Sequence, residues 1–339
     1  MKNLKKLLSV GLALALSAAL LTGCNGSGSE SSAADSQPEE SATIDFPTKQ
    51  INVIVPYSAG GASDTVARIY ASQLQSVIGK PVIVTNKTGA SGSVGLEYVR
   101  NSNPDGYTIA YMPVESTMLK ALGFTDLSTD DFKFIGRAMT IPAAITVRSD
   151  SKWNTLEEFI EYAKENPGEI KVGNSGTGSI WHIAAASLEQ KTGCQFTHVP
   201  FDGAAPAVAA LLGRNIDATA VSPSEVQSSV DSGELKILAV IGDERSSIYP
   251  DIPTAQELGI DVSVQGWGGF AVPKDTPQEI IDILETASEQ AINSDEMKQL
   301  LSTKGYNFAY LSGSEMDEEA KQELDYFSEL IPQLGIVEE

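Results

Sequence analysis

Histidine and cysteine are both scarce, with two of each in a chain of 339 residues. His182, His198, Cys24 and Cys194 are not spaced like the ligands of a structural or catalytic metal site. The sequence therefore predicts no metal centre and no cofactor. If Cys24 carries a lipid, Cys194 has no partner for a disulfide, and we interpret it as a small buried side chain.

Positive charge is also in short supply, with 23 Lys and Arg against 45 Asp and Glu and a formal net charge of −22. Such an acidic chain is a poor match for nucleic acid or for anionic lipid, so neither is predicted as a partner. The acidity also argues against an anionic ligand, but exposed charges are screened beyond about 8 Å at physiological salt. Local backbone dipoles can therefore still decide what a recessed site binds.

Long apolar runs are missing after residue 21, and the single one before it, at residues 7–21, follows three lysines. This run is too short to span a bilayer comfortably, and Leu-Thr-Gly-Cys follows it at residues 21–24. We interpret residues 1–23 as a signal peptide with a lipobox, and Cys24 as the lipid-modified N-terminus of the mature protein. The alternative is an ordinary secretory signal with an incidental cysteine.

Residues 24–43 are rich in Ser, Gly, Ala and Glu and show no apolar periodicity. They predict a disordered tether between the lipidated cysteine and a folded part that begins near residue 44. Loss of the three leader lysines changes the formal charge from −22 to −25. The protein is thus expected to be extracytoplasmic and lipid-anchored to the bacterial cell membrane.

The folded part is organised around residues 51–64, where a strand, a glycine-bearing turn and a helix follow one another. Residues 51–55 are mostly β-branched and predict a buried strand, and small residues at 57–61 lead into an amphipathic helix that ends near Gly79. The first N–H groups of such a helix have no acceptor within the helix, and the helix start carries about half a positive charge. Such a helix start therefore suits an anion. Alternatively, Gly60 and Gly61 serve only the geometry of a tight connection.

Strand and helix patterns alternate along the rest of the chain and indicate an α/β fold with parallel strands. The alternation restarts after residues 149–151, which suggests a second α/β domain. Capping boxes are predicted at residues 155–158 and 276–279, and Pro206 is predicted at the first position of a helix. Further strands are predicted at 81–86, 107–112, 143–147, 170–173, 195–199, 218–221, 235–241 and 270–272, and further helices at 180–190, 295–304 and 314–330.

One pattern occurs twice, at residues 55–60 and at residues 199–203. In both places the end of a predicted strand is followed by proline, an aromatic residue and small residues, and then by a predicted helix. Ligands of open α/β sheets lie beyond the carboxyl ends of the strands. If two domains face each other, these loops meet across one cleft, and we expect an anion site there.

Four stretches resemble the solute-binding receptors of tripartite tricarboxylate transporters, the Bug or TctC-like receptor family. They run in family order between residues 46 and 330, and the lipobox also fits. The last of them reads Gly-Trp-Gly-Gly-Phe-Ala-Val-Pro-Lys-Asp-Thr-Pro. The stretches are residues 56–68, residues 86–95 with 104–108, residues 199–217 and residues 266–277.

The resemblance implies a type II periplasmic-binding-protein-like Venus flytrap of two domains joined by crossover segments near residues 145–148 and 265–268. It assigns residues 44–147 with 268–339 to domain 1 and residues 148–267 to domain 2. It also implies a monomeric receptor, not an enzyme, that captures a small organic carboxylate and delivers it to the membrane subunits of the transporter. A carboxylate sensor that presents its ligand to a membrane signalling protein is the alternative.

The resemblance further implies that the loops grip carboxylate oxygens from opposite domains, mainly through backbone N–H groups and ordered waters. No Lys or Arg lies inside these loops, so the donors must be mostly neutral. Ile180-Trp181 stands where family members often have smaller residues, and the indole narrows the expected pocket. The predicted ligand-binding residues are Tyr57, Ser58, Ala59, Gly60, Gly61, Asp64, Ser175, Gly176, Thr177, Ser179, His182, Phe201, Gly203, Ala204, Ala205 and Ser222.

Several of these residues have a second interpretation. Asp64 and Arg68 are four apart on a helix, so an ion pair competes with a role for Asp64 in holding a water or a ligand amine. Ser and Thr at 175–179 could cap the next helix instead of binding a carboxylate. His182 with Ser175 could form a hydrolase pair, but no Gly-x-Ser-x-Gly motif occurs, and His182 is expected to orient the loop. Trp267 is interpreted as a hinge or pocket wall, or as packing between domains.

Overall fold

Strands and helices alternate through residues 44–201 and 203–336, the part of the chain that the computed structural model describes. The predicted signal peptide, Cys24 and the tether lie outside these residues. The strands are β1 Ile51–Val55, β2 Val82–Asn86, β3 Thr108–Pro113, β4 Phe132–Arg148, β5 Lys171–Asn174, β6 Thr197–Pro200, β7 Ala218–Val221, β8 Leu235–Ile241, β9 Gln265–Pro273 and β10 Asn307–Leu311.

The helices carry the connections between these strands. None of the described helices combines the length and the apolar character that crossing a bilayer requires. They are α1 Ala62–Ile78, α2 Ser93–Arg100, α3 Leu156–Glu165, α4 Ile180–Thr192, α5 Ala204–Leu212, α6 Pro223–Asp231, α7 Gln278–Ile292, α8 Asp295–Lys304 and α9 Gly313–Leu334.

Two sheets share one long strand. In the first sheet, β1 pairs in parallel with β2 and β3, and β9 joins β3 to β4 by antiparallel pairing. In the second, β5 lies between β6 and β7, and the last part of β4 pairs with β7 and β8. We call the part built on β1, β2, β3, β9 and β10 the first lobe and the part built on β5 to β8 the second lobe.

Strand β4 passes from one lobe to the other. Its residues up to Pro142 pair with β9, whereas its residues from Ala143 to Arg148 pair with β8. This arrangement confirms the α/β fold class with two sheets and a crossover. The exact domain bounds given above stay a prediction.

Helix α1 shows how the first lobe acquires its core. Its apolar residues recur every three or four positions, so that Val66, Tyr70 and Leu74 are fully buried. The Tyr70 ring stacks on Phe270 of β9 at a centroid distance of 3.5 Å, and its hydroxyl lies 2.7 Å from Ser288 Oγ on α7. Burying each such side chain contributes about 1.5–3 kcal/mol, which holds α1 against the sheet.

Two predicted strands are much shorter than the real ones. The predictions at 143–147 and 270–272 correspond to β4 and β9, which have 17 and 9 residues. Nearly all residues of both strands are buried, so their sequences lack the alternation by which a half-exposed strand is recognised. Strand β10 and helix α6 were not predicted from the sequence.

Two predictions about helix starts are wrong, and a third is half right. Helix α7 begins after Pro277 without a side-chain cap, because the Thr276 hydroxyl donates to a backbone carbonyl in the preceding turn. Pro206 is the third residue of α5, not the first. At α3, Thr155 Oγ1 accepts the N–H of Glu158, but the Glu158 carboxylate binds the N–H of the residue before Thr155.

Candidate ligand-binding cleft

The first candidate loop, residues 57–61, connects β1 to α1. Gly60 has a φ of +88°, which places the chain in a turn that L-residues rarely adopt. Gly61 precedes α1 with an extended backbone and no side-chain cap, so the helix start is left open. Among the described residues, the N–H groups of Ser58, Ala59 and Gly61 have no acceptor. The loop therefore presents several free donors at the positive end of a helix.

Asp64 holds this loop in place. Its Oδ2 accepts the N–H of Gly60 at 2.8 Å and Nε of Arg68 at 2.9 Å. Its Oδ1 accepts Nδ2 of Asn86 at 2.9 Å, and the same amide nitrogen also donates to the carbonyl of Tyr57. Burial on its own raises the pKa of Asp64, but the bonds from Arg68, Gly60 and Asn86 outweigh it and lower that pKa. The predicted ion pair with Arg68 is confirmed, and the carboxylate positions the loop.

The second candidate loop, residues 175–179, connects β5 to α4. Ser179 caps α4 by accepting the N–H of His182 at 3.3 Å, and the N–H of Gly176 binds the Asn174 side chain at 3.0 Å. Gly178 has a φ of +73°, and a Cβ there would lie 2.7 Å from Leu122, which follows β3 in the first lobe. This loop of the second lobe therefore lies directly against the first lobe.

His182 supports the second loop as a neutral imidazole. Its Nδ1 accepts the N–H of Gly178 at 3.1 Å, which requires that this nitrogen carries no proton. Burial, with a smaller contribution from His198, lowers the pKa of His182 to about 4. In the described residues no hydrogen bond joins His182 to Ser175, so the geometry of a hydrolase pair is not formed there. His182 orients the loop, as expected from the sequence.

The remaining predicted residues follow β6 and β7. Phe201 donates its N–H to the carbonyl of Asn174, which brings the third loop beside the second. Gly203 opens helix α5, on which Ala204 and Ala205 are the first residues, and Asp202 lies outside the described residues. Ser222 is fully buried and caps α6 in a reciprocal box with Glu225.

Glu115 also lies beside the candidate loops, although it was not predicted from the sequence. It lies in the short turn Val114–Thr117 after β3, and its carboxyl is close to the Tyr57 hydroxyl and to the N–H of Ile180 at the start of α4. Burial raises the pKa of Glu115, and the contacts with Tyr57 and Ile180 lower it only in part. The first and second loops therefore flank one carboxyl group.

Glu225 is a second acidic side chain that the sequence analysis missed. Its Oε2 accepts both the N–H and the hydroxyl of Ser222 at 2.8 Å. The Glu225 residue is exposed to solvent. Burial, with a contribution from Glu115, raises the pKa of Glu225. Both glutamates come shortly after the carboxyl end of a strand, the position where ligand-contacting residues are expected.

The indole rings of two tryptophans lie near the crossover. Trp181 packs against β9, since a Cβ at Gly266 would lie 3.8 Å from its ring. Trp267 is 3% exposed, and its Nε1 donates to Glu323 Oε2 at 2.5 Å. Because Trp267 is enclosed in this way, the structure favours its interpretation as packing beside the crossover over that of an open pocket wall.

A separate open groove of about 1000 Å³ lies on the first lobe and does not include the candidate loops. It is formed mainly by the starts of β1 and β3 and one face of α2, whereas the loops follow strand ends. Within the described residues, no group of three or more His, Cys, Asp or Glu side chains could hold a metal ion. The candidate loops are thus the site to compare with known proteins.

The sequence matches the family described as "Tripartite tricarboxylate transporter family receptor" over residues 66–336. The chain belongs to this receptor family, TctC. A UPF0065 protein of Bordetella pertussis is 30% identical over 297 residues, which cover 86% of this chain and 91% of the relative. A TctC solute binding protein from Polaromonas, solved without ligand, is 39% identical with a TM-score of 0.74 and covers 85% of this chain and 99% of its own.

Two other similar solved structures contain ligands. A protein of R. palustris with adipate is 26% identical, with a TM-score of 0.77 over 86% of this chain and 99% of its own. MatC from Rhodopseudomonas palustris with bound malate is 25% identical, with a TM-score of 0.73 over 84% and 100%. TctC proteins form a family of periplasmic solute-binding receptors, not of enzymes, so this chain is an extracytoplasmic binding receptor with a two-domain α/β fold.

Proposed function

We propose that this receptor captures a small organic carboxylate between its two lobes and delivers it to the membrane subunits of a tripartite tricarboxylate transporter. The observation that supports this most directly is the pair of loops with free backbone donors at helix starts. The first loop offers the N–H groups of Ser58, Ala59 and Gly61, and the second belongs to a helix start that lies against the other lobe. Donors of this kind suit carboxylate oxygens.

A rough free-energy comparison explains why both loops are needed. Micromolar binding requires about 8 kcal/mol, whereas one charge-assisted hydrogen bond contributes about 1.5–3 kcal/mol net. Several donors from both lobes must therefore converge on the ligand, and binding closes the cleft. The proposed contacts are those predicted from the sequence, with Asp64 and His182 acting through the loops that they position.

Two relatives support the ligand class, because both adipate and malate are dicarboxylates. We also propose the domain bounds, the monomeric state, the absence of catalysis and the lipid anchor at Cys24 as given above. Delivery to the transporter is tested by uptake of the bound carboxylate in cells with and without the receptor gene. Uptake that does not depend on the receptor would favour the sensor alternative.

The test of the binding site is Gly61→Asp, measured by tryptophan fluorescence and thermal shift against di- and tricarboxylates, aromatic carboxylates and amino acids. Gly61 has a φ of −77°, and the nearest atom to a Cβ there is 3.7 Å away, so a side chain fits without strain. Aspartate is also a good residue at a helix start, so the variant should fold. Its charge lies among the donors, and we expect binding to fall at least about 100-fold.

Gly61→Asn is the matched control, since it has the same shape and cap preference without the charge. It should retain much more affinity than Gly61→Asp. If both variants bind every carboxylate as well as the unmodified protein does, the first loop is not part of the site.

A further inference from the structure

Asn174 is the last residue of β5 and directly precedes the second candidate loop. Its Oδ1 accepts the N–H of Gly176 at 3.0 Å, and its backbone carbonyl accepts the N–H of Phe201 in the third loop at 3.1 Å. One residue therefore connects the second loop to the third. It does so at the carboxyl end of a strand, where open α/β sheets bind their ligands.

The nitrogen of the same side-chain amide has no partner. Asn174 is fully buried, and within residues 44–201 and 203–336 no group accepts a hydrogen bond from its Nδ2. The amide cannot be turned round to remove this defect, because its NH₂ group would then face the N–H of Gly176. A buried donor without an acceptor is unfavourable, and proteins rarely leave one unpaired without a functional reason.

Six other buried polar side-chain atoms in the described part of the chain also lack a partner. None of their residues is the last residue of a strand, so none stands where Asn174 does. The six residues are Thr146, Trp153, Ser187, His198, Thr219 and Ser246. Of these seven unpaired atoms, Nδ2 of Asn174 is the one at the position expected for a ligand contact.

The residues that follow Asn174 offer further neutral donors. In the described residues, the N–H groups of Ser175 and Thr177 have no acceptor. No Lys or Arg occurs among residues 174–179. A carboxylate group has two oxygens with about four lone-pair positions, enough to accept hydrogen bonds from Nδ2 and from both N–H groups.

We propose that Asn174 is a specificity-determining residue of the solute site and that its Nδ2 donates to a carboxylate oxygen of the bound solute. This rests on the proposed function and adds a side-chain donor to the backbone donors of the loops. The second loop packs against Leu122 of the first lobe, so the solute reaches Asn174 when the lobes separate. Because Nδ2 is paired only when a solute is present, Asn174 favours closure around a solute over closure of an empty cleft.

Asn174→Asp separates this contact from the support of the loop. Aspartate keeps an oxygen for the N–H of Gly176 but has a second, negatively charged oxygen in place of the donor. Binding of malate, adipate and citrate to the full receptor is measured by titration calorimetry. Each of them that binds the unmodified receptor should bind the variant at least about 100-fold more weakly, because like charges then face each other. Equally tight binding by the folded variant would mean that Asn174 only supports the loop.

Asn174→Ser gives the same test without a buried charge. A serine hydroxyl can still accept the N–H two residues further on, but it is too short to replace Nδ2 as a donor. We expect the affinity for the same carboxylates to fall about tenfold or more. Thr219→Val is the matched control, since it removes another buried and unpaired side-chain atom of the second lobe and should leave the affinity within about threefold. A serine variant that binds like this control would contradict the contact.

A measurement on the unmodified receptor does not depend on how the variants fold. In the ¹⁵N-labelled protein, the side-chain NH₂ signal of Asn174 is followed by NMR during titration with malate, adipate and citrate. The signal should shift on binding, and its hydrogens should exchange with water more slowly once they are bonded to the solute. A signal that keeps its position and exchange rate in the saturated receptor would show that Nδ2 remains unpaired, contrary to the proposal.

The two proposals fail in different ways. If carboxylates bind and Gly61→Asp weakens them while neither Asn174 variant does, the proposed function stands and the contact with Asn174 is refuted. If malate, adipate and citrate all fail to bind to the correctly folded receptor, the proposed function itself fails, and the inference fails with it.

Discussion

The two main candidate loops are both held in place by a side chain of the following helix, but one of these side chains is charged and the other is neutral. Both connect a strand to a helix start, and among the described residues the N–H groups of Ser58, Ala59 and Gly61 in the first loop and of Ser175 and Thr177 in the second have no acceptor. The first loop is tied by the charged Asp64, which binds the N–H of Gly60 and the side chain of Arg68. The second is tied by the neutral His182, which binds the N–H of Gly178. An ionised side chain and an uncharged one can therefore position the same kind of loop, but they should fail under different conditions.

The largest expected loss of stability comes from removing Asp64, the charged side chain that holds the first loop. Asp64→Ala leaves the N–H of Gly60 without an acceptor, removes one of the two acceptors of the Asn86 amide and takes the ion-pair partner away from Arg68. Because Asp64 is 3% exposed, we expect a loss of about 2–3 kcal/mol in the free energy of unfolding, measured in urea. Ligand affinity should fall as well, because the first loop is no longer held.

Asp126→Ala is the matched control for this prediction. Asp126 also pairs with an arginine, Arg100, at 2.9 Å, but its side chain is 85% exposed. Removing such an exposed pair should change the free energy of unfolding by less than about 1 kcal/mol. Equal losses in the two variants would show that the network around Asp64 adds nothing beyond an ordinary surface pair.

As pH falls, the second loop should lose the support of the neutral His182 before the first loop loses that of Asp64. The pKa of His182 is lowered from 6.5 to about 4, so between these values the unfolded chain binds the proton more readily than the folded one. Titration of His182 therefore leaves the free energy of unfolding unchanged above pH 6.5 and lowers it as pH falls from 6.5 towards 4. Asp64, whose pKa is lowered from 3.8, loses its contribution only in stronger acid.

His182→Asn separates two roles of His182, that of hydrogen-bond acceptor for Gly178 and that of a group that takes up a proton in acid. An asparagine oxygen can replace Nδ1 as acceptor for Gly178 but does not take up a proton between pH 7 and 4. The variant should therefore lose less stability than the unmodified protein over this range, as followed by urea unfolding at several pH values. His182→Ala should be less stable at pH 7 by about 1 kcal/mol, because the Gly178 N–H loses its acceptor. If the free energy of unfolding falls equally with pH in the unmodified protein and in His182→Asn, protonation of His182 is not the cause of the acid sensitivity.

Glu323 must be considered in the same measurement, because it acts in the opposite direction. Burial raises its pKa to about 7 from 4.5, so the folded protein loses stability as pH rises through this range. Its neighbours are Trp267, Glu319 and Arg137. Comparing the His182 variants in a Glu323→Gln background removes this contribution.

Local signals in the sequence predicted much of the fold. Strands β1, β7 and β8 and helix α8 have the predicted bounds, since glycine, proline or a capping residue marks their ends. The long strands β4 and β9 were predicted only in part, because they are buried on both faces and show no alternation. Where burial is complete, residue periodicity carries little information about the length of a strand.

In the candidate site, too, features marked by adjacent residues were predicted and features formed by distant residues were not. The first and second loops were predicted because a strand, small residues and a helix start are adjacent in the chain. Glu115 and Glu225 were not, because the surroundings of their carboxyl groups depend on how distant parts of the chain pack, and residues 115 and 225 are far apart in the sequence. The capping box from Ser222 to Glu225 was a local signal that could have drawn attention to one of them.

The smallest expected effect tests whether the loops bind through the backbone. Thr177 is exposed, and within the described residues its hydroxyl has no hydrogen-bond partner, so Thr177→Ala should leave the free energy of unfolding within about 0.5 kcal/mol. If main-chain N–H groups hold the carboxylate, the affinity should also change by no more than about threefold, in contrast to the loss in Gly61→Asp. A loss of 30-fold or more, on the order of 2 kcal/mol, would mean that the hydroxyl itself binds the ligand. The second loop would then differ from the first in how it binds the ligand, and not only in how it is supported.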